Sequence, residues 1–291
     1  MRKTLNKKDL VTPSSVKFLY NTNLGNFLLS ILTKRWVSKL VGKYLDSKLS
    51  CHRIKKYVKK NNIDLNLYVE KKYTSFNDFF TREIKSDNRP FIKDKEAFPS
   101  PCDGKLSVYN INETNTFNIK GFDYTLESLL DNKELASKYK NGLCLVIRLS
   151  VEDYHRYFYV DDCVKEKSIF IKGKLHTVQP YALEKRKVFC ENCREYTILH
   201  TENFGTVTQI EVGAMMVGKI VNKHKDEGVH SKGEEKGMFE FGGSTIVLLL
   251  ENNKVMLDEE FFINTKNDNE TYVVCGEKIG YASTKKNLSS N

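Results

Sequence analysis

Residues 14–70 carry apolar side chains at helical spacing. Phe27, Leu28, Ile31, Leu32, Trp36, Leu40, Val41 and Leu45 recur every few positions, and Lys34, Arg35, Lys39 and Lys43 fall between them. Such spacing collects the apolar groups on one side of a 3.6-residue helix. The pattern suits a basic amphipathic segment lying in a membrane interface. It also suits an ordinary domain helix with a solvated basic face. From about residue 105 the period changes. Segments 105–109, 143–149, 168–171, 196–200, 206–212, 216–221, 238–241, 245–250 and 254–257 are short, apolar and rich in β-branched or aromatic residues. Gly and Asn clusters separate them, which predicts strands. One helix is predicted near 126–138. The class predicted is therefore α+β, a helical basic N-terminal region followed by a β-rich body of sandwich or barrel type. Residues 285–291 read as a disordered tail.

Composition narrows the picture. The chain has 291 residues, 40% of them hydrophobic, enough for one large domain or two modest ones with a substantial core. No apolar run approaches the roughly 20 residues that span a bilayer, so neither a transmembrane helix nor a secretory signal is expected. Seven cysteines stand at irregular spacing, an odd count that argues for free thiols in a reducing compartment. The net charge of +10 is unevenly placed. Residues 1–60 hold 15 Lys and Arg against Asp9 and Asp46, which leaves the rest of the chain at about −3. A basic third on a near-neutral body points to an anionic partner, either nucleic acid or an acidic membrane surface.

Three segments carry candidate chemistry. The first is Phe239-Glu240-Phe241-Gly242-Gly243-Ser244-Thr245, followed by the apolar run 246–250. It reads as a hairpin turn. It also sets an unencumbered Gly243 carbonyl beside a hydroxyl nucleophile, Ser244. The second is Pro99-Ser100-Pro101-Cys102-Asp103-Gly104-Lys105, a plain Asp-Gly turn or a carboxylate held rigidly to orient a histidine. The third is Ser150-Val151-Glu152-Asp153-Tyr154-His155-Arg156-Tyr157. There Ser150 and Asp153 have capping spacing, and His155 falls just beyond a predicted core strand. Hydroxyl, imidazole and carboxylate together form the set that activates a weak nucleophile.

These segments resemble the phosphatidylserine decarboxylases, which are self-cleaving pyruvoyl enzymes. The resemblance runs from Tyr73 onward. Its other carriers are Ser75-Phe76-Asn77-Asp78-Phe79-Phe80-Thr81-Arg82, Arg89-Pro90, Val212-Gly213-Ala214-Met215-Met216-Val217-Gly218 and Lys232-Gly233-Glu234-Glu235-Lys236-Gly237. The resemblance implies a membrane-associating region 1–72 and a catalytic domain 73–291. It implies self-cleavage between Gly243 and Ser244 into a β chain 1–243 and an α chain 244–291. Asp103 would be the charge-relay acid, His155 the histidine, and Ser244 both the nucleophile and the source of a covalent pyruvoyl cofactor. A Schiff base between that ketone and the substrate amine would drain electrons during loss of CO₂. The substrate would be phosphatidylserine on an anionic membrane, with the enzyme peripheral on the cytoplasmic face and bound to no nucleic acid.

One departure stands out. Many members carry a second histidine three residues after the first, and here that position is Phe158. The expectation is that His155 serves both maturation and catalysis, with His176 and His200 as the next candidates. Cys190 and Cys193 form a lone C-x-x-C, too little for a zinc site, and no metal is expected. Two other readings compete. A pyruvoyl decarboxylase of a soluble amino acid would not need the basic helices. A noncatalytic β-sandwich module with a nucleic-acid arm would remain a single chain.

Overall fold

The computed structural model describes residues 2–215, 219–242 and 244–283, with Lys8 described by its backbone alone. A ten-stranded antiparallel sheet organises this chain. Its order is Thr4–Asn6, Asn269–Val273, Gly104–Asn110, Leu143–Leu149, Ser244–Leu250, Thr206–Val212, Arg194–Thr201, Cys163–Lys165 and Gly228–His230, with Ile169–Ile171 also paired to Arg194–Thr201.

Successive side chains of a strand point to opposite faces, and the two central strands are apolar on both. In Ser244–Leu250, Ile246, Leu248 and Leu250 enter one core cluster while Val247 and Leu249 enter another. In Leu143–Leu149, Leu145, Ile147 and Leu149 join the former, and Cys144 and Val146 the latter. This double burial explains why these segments read as continuous apolar runs instead of alternating ones.

Smaller sheets flank this frame. One joins Ile220–Asn222, Glu235–Phe239 and Arg156–Phe158, and another joins Val255–Leu257, Lys278–Ala282 and Ala97–Pro99. Among the described residues no sheet closes into a barrel, so that part of the expected architecture is replaced by an open sheet buried between two cores.

Several local expectations shift. The predicted helix near 126–138 is two short helices, Leu126–Leu130 and Lys133–Ser137. Asp131 adopts φ 51° between them, and the Asn132 side chain accepts the Leu135 N–H to start the second. The basic region divides into Ser14–Asn21, Asn23–Leu32, Arg35–Leu45 and His52–Lys60. Thr22 caps the second of these by accepting the Gly25 N–H at 2.9 Å. The region is not wholly helical, because Thr4–Asn6 pairs with Asn269–Thr271 at the edge of the main sheet. The strand predicted over 216–221 is described only from Lys219 onward, where Ile220–Asn222 is extended. The strand predicted at 238–241 lies earlier, at Glu235–Phe239. The tail read as disordered lies outside the described residues. All seven cysteines are free thiols. Among the described residues no helix is long and apolar enough to cross a membrane.

Candidate active site

Antiparallel pairing brings the end of one strand beside the start of its neighbour. Ser244 opens its strand directly opposite Leu149, the last residue of the adjoining one. The turn that follows Leu149 therefore sits over Ser244. Asp153 closes this turn: its carboxylate accepts the Ser150 N–H at 2.6 Å, and its own N–H donates to the Ser150 carbonyl at 3.0 Å. Ser150 and Asp153 are thus reciprocally bonded as their spacing suggests, but they close a turn with no helix after it.

His155 emerges from this turn with 1% of its surface exposed. Its Nδ1 is 3.2 Å from Ser244 Oγ, and its Nε2 is 3.0 Å from the Ser150 carbonyl oxygen. A carbonyl can only accept, so Nε2 carries the ring proton and Nδ1 presents a lone pair to the serine. Burial drives the His155 pKa down to about 3, and the nearby Arg82 and Lys105 charges push the same way against the Ser150 hydrogen bond. The imidazole is therefore neutral throughout the physiological range. The Phe80 ring lies 4.3 Å from it, centroid to centroid. The His155 carbonyl accepts the Phe239 N–H at 2.9 Å, tying the histidine to the strand that leads to Ser244.

Further bonds hold both sides. The Asn77 side chain accepts the Phe241 N–H at 3.2 Å and donates to Asp46 at 2.8 Å, linking the basic helices to the approach to Ser244. The Tyr57 hydroxyl donates to the Val151 carbonyl. Buried Lys105 reaches Asp153 at 2.6 Å and Glu152 at 3.0 Å. Burial raises the Asp153 carboxyl, opposed by the Lys105 charge. Gly242 adopts φ 140°, a backbone state open to glycine. Gly243, the expected scissile residue, lies outside the described residues.

Asp103 occupies a different position from the one expected. Its carboxylate receives Arg89 Nε at 2.9 Å and the terminal Arg89 nitrogen at 2.6 Å, and it also accepts the Cys275 N–H at 2.8 Å. That hydrogen bonding raises the Arg89 guanidinium pKa further, against the opposing effect of burial. The direct Asp103–His155 contact is absent, because both ring nitrogens of His155 face other partners. Phe158 packs against Phe91 at 5.6 Å, and its N–H donates to the Pro101 carbonyl, so it braces the Asp103 turn. His176 faces the Tyr20 hydroxyl and His200 faces Glu166. Cys190 accepts from Ser128 while Cys193 donates to the Gly173 carbonyl, so the two thiols serve separate contacts.

Sequence reasoning gave no role to Arg89, Lys105, Phe80 or the Ser150 carbonyl. The Ser150–Asp153 spacing was a usable signal for the turn. A backbone carbonyl that selects a tautomer leaves no signature in the side-chain pattern. Beside Ser150 and Gly242 opens a cleft of about 680 Å³, lined also by Lys7, Tyr20, Arg148 and Phe241. Arg148 pairs with Glu270 at its wall, Nε to Oε1 at 3.0 Å.

A family model described as phosphatidylserine decarboxylase matches residues 76–281. The chain is 47% identical over 266 residues to phosphatidylserine decarboxylase proenzyme 2 of Clostridium acetobutylicum, covering 91% of each. It is 44% identical to the phosphatidylserine decarboxylase proenzyme of Clostridium novyi over 91% of this chain and 92% of that one. The proenzyme of the same name in Clostridium botulinum strain Hall is 41% identical, with the same coverage. On this similarity the chain belongs to the phosphatidylserine decarboxylase family.

Proposed function

We propose that this chain is a proenzyme that cleaves itself between Gly243 and Ser244 and then converts phosphatidylserine to phosphatidylethanolamine and CO₂. The observation that carries the reading is the His155–Ser244 hydrogen bond, with the tautomer set by Ser150.

A serine hydroxyl is a poor nucleophile until a base takes its proton. Here the Oγ proton passes to the Nδ1 lone pair of His155 as Oγ bonds to the Gly243 carbonyl carbon. The Gly243–Ser244 amide bond breaks, its nitrogen takes a proton, and an ester joins the two residues. Loss of the Ser244 Cα proton then breaks the Cβ–O bond, which leaves a carboxylate on Gly243 and an unsaturated residue 244. Addition of water and release of ammonia turn that residue into a pyruvoyl group. Ser244 fits this role because it is buried, joined to a neutral imidazole and preceded by glycines. The pyruvoyl carbonyl supplies the electron sink that decarboxylation of an amino acid needs.

Asp153 acts as a positioning residue by holding the Ser150 turn. Asp103 acts through Arg89 and the Cys275 N–H, and not as a partner of His155. The cleft beside Ser150 is the substrate pocket, with Lys7 and Arg148 among its lining residues.

The basic helices deliver the enzyme to the bilayer as a peripheral membrane protein. Leu24 is 62% exposed, Phe27 63%, Trp36 55% and Leu40 57%, while Gly25 and Leu29 fill the buried side of Asn23–Leu32. A helix that simply packed on its own domain would bury those groups. Their exposure among lysines favours the interfacial reading, with residues 1–72 as the membrane-associating region and 73–291 as the catalytic domain.

Borohydride added with phosphatidylserine tests the function. Reduction is expected to attach the substrate amine covalently to the fragment 244–291. Substrate label confined to residues 1–243, or absent from both fragments of an active preparation, would contradict it.

A further inference from the structure

A cluster of metal-ligating side chains lies outside the catalytic site. His224 belongs to the connection between Ile220–Asn222 and Gly228–His230, His230 ends that second strand, and Glu234 directly precedes Glu235–Phe239. One ligand atom from each of the three lies within 4.8 Å of the other two. Glu234 Oε1 is 2.9 Å from His230 Nδ1 and 3.6 Å from His224 Nε2. Two donors on a tetrahedral ion, with bonds of about 2.0–2.1 Å, sit roughly 3.3 Å apart. The two observed separations bracket that value.

We propose that His224, His230 and Glu234 bind one divalent transition-metal ion of the zinc, cobalt or nickel class, with the remaining positions taken by water. Two imidazoles and a carboxylate form a borderline donor set that favours these ions over magnesium or calcium.

Two of the ligands are already held. The His230 ring is buried and stacked on Tyr159, with centroids 4.4 Å apart and planes 8° apart. The second oxygen of Glu234 accepts the Ser231 N–H at 3.1 Å. Outer contacts of this kind orient ligands and tune their affinity. His224 is half-exposed, with its ring centroid 4.8 Å from that of His230. It is the ligand free to turn inward. Binding takes the place of the hydrogen bond between His230 Nδ1 and Glu234. The ion would join the 223–227 connection, the end of Gly228–His230 and the turn entering Glu235–Phe239. That last strand carries the chain toward Ser244, so the ion would pin the segment that feeds the cleavage site. The sequence gives no hint of such a site, because the three ligands do not follow a recognised spacing.

Cobalt titration of the purified full chain, followed by visible absorption and then by zinc competition, tests the proposal. One equivalent is expected to bind with a nitrogen–oxygen spectrum and without a thiolate charge-transfer band. Zinc should displace it. His224→Ala and Glu234→Gln should each weaken binding at least tenfold. His224 is exposed, so its variant keeps the fold, which unchanged thermal unfolding without metal would verify. Hydrogen exchange over 223–239 should slow with zinc in the wild type and not in His224→Ala. A thiolate band, equal binding by His224→Ala, or no binding at micromolar cobalt would each overturn the assignment.

Discussion

His155 presents Nδ1 to Ser244 Oγ at 3.2 Å while its opposite nitrogen is bound by the Ser150 carbonyl at 3.0 Å. The histidine is therefore a neutral acceptor by construction, and its burial keeps it so down to about pH 3.

His155→Ala should slow cleavage by about 10²–10⁴-fold, the usual contribution of a positioned base, while His176→Ala and His200→Ala mature normally. With a pKa of about 3, wild-type cleavage should be flat through neutral pH instead of titrating near the ordinary histidine value. The same depression has a stability consequence. The unfolded chain takes up a proton below about pH 6.5 and the folded His155 does not. Its contribution is fully present above the unfolded pKa and is lost as pH falls toward the folded one. One such group gives at most about 1.4 kcal/mol per pH unit. In an uncleaved Ser244→Ala background, adding His155→Gln should flatten the fall in urea midpoint on acidification. An unchanged slope, or cleavage titrating near 6.5, would contradict the buried neutral histidine.

Arg89→Gln and Asp103→Asn should share one defect. Each leaves a largely buried charge without its partner, a change that costs on the order of 3–5 kcal/mol when the pair is fully desolvated. Both variants should unfold at lower temperature and mature poorly, and the double variant should be no worse than either single one. Additive losses in a double-mutant cycle would separate the two residues and reopen a direct role for Asp103 at His155.

How much of this was legible in the sequence depended on how local each signal was. The strands Leu143–Leu149 and Thr206–Val212 have the limits the apolar pattern predicts, because a strand buried on both faces has no competing period. The open sheet was not legible, since barrel closure depends on pairings between distant strands such as Thr4–Asn6 with Asn269–Thr271. The basic helices were visible as a periodicity. That periodicity did not say whether Phe27 and Trp36 would be covered, because covering depends on tertiary neighbours. At the site, His155 and Ser244 were readable as chemistry. The Arg89–Asp103 pair was not, because an Asp-Gly turn says nothing about which cation reaches the carboxylate from 14 positions away.

Trp36 is the chain's one tryptophan and stands exposed among the basic helices. Vesicles containing phosphatidylserine should shift its fluorescence to the blue. The shift should weaken with salt, since exposed charges are screened over about 8 Å at physiological ionic strength. Phe27→Glu should reduce it without slowing cleavage. Equal shifts with neutral vesicles would remove the electrostatic part of the membrane reading.

The intact mass of the purified wild-type protein tests the central claim most directly. The account predicts two chains divided between Gly243 and Ser244. The N-terminal chain should end in a free carboxylate. The C-terminal chain should begin with a blocked pyruvoyl, lighter than serine by the difference between the two groups. Ser244→Ala should give one mass for the whole chain. A single uncut chain of 291 residues in a preparation that decarboxylates phosphatidylserine would contradict the account.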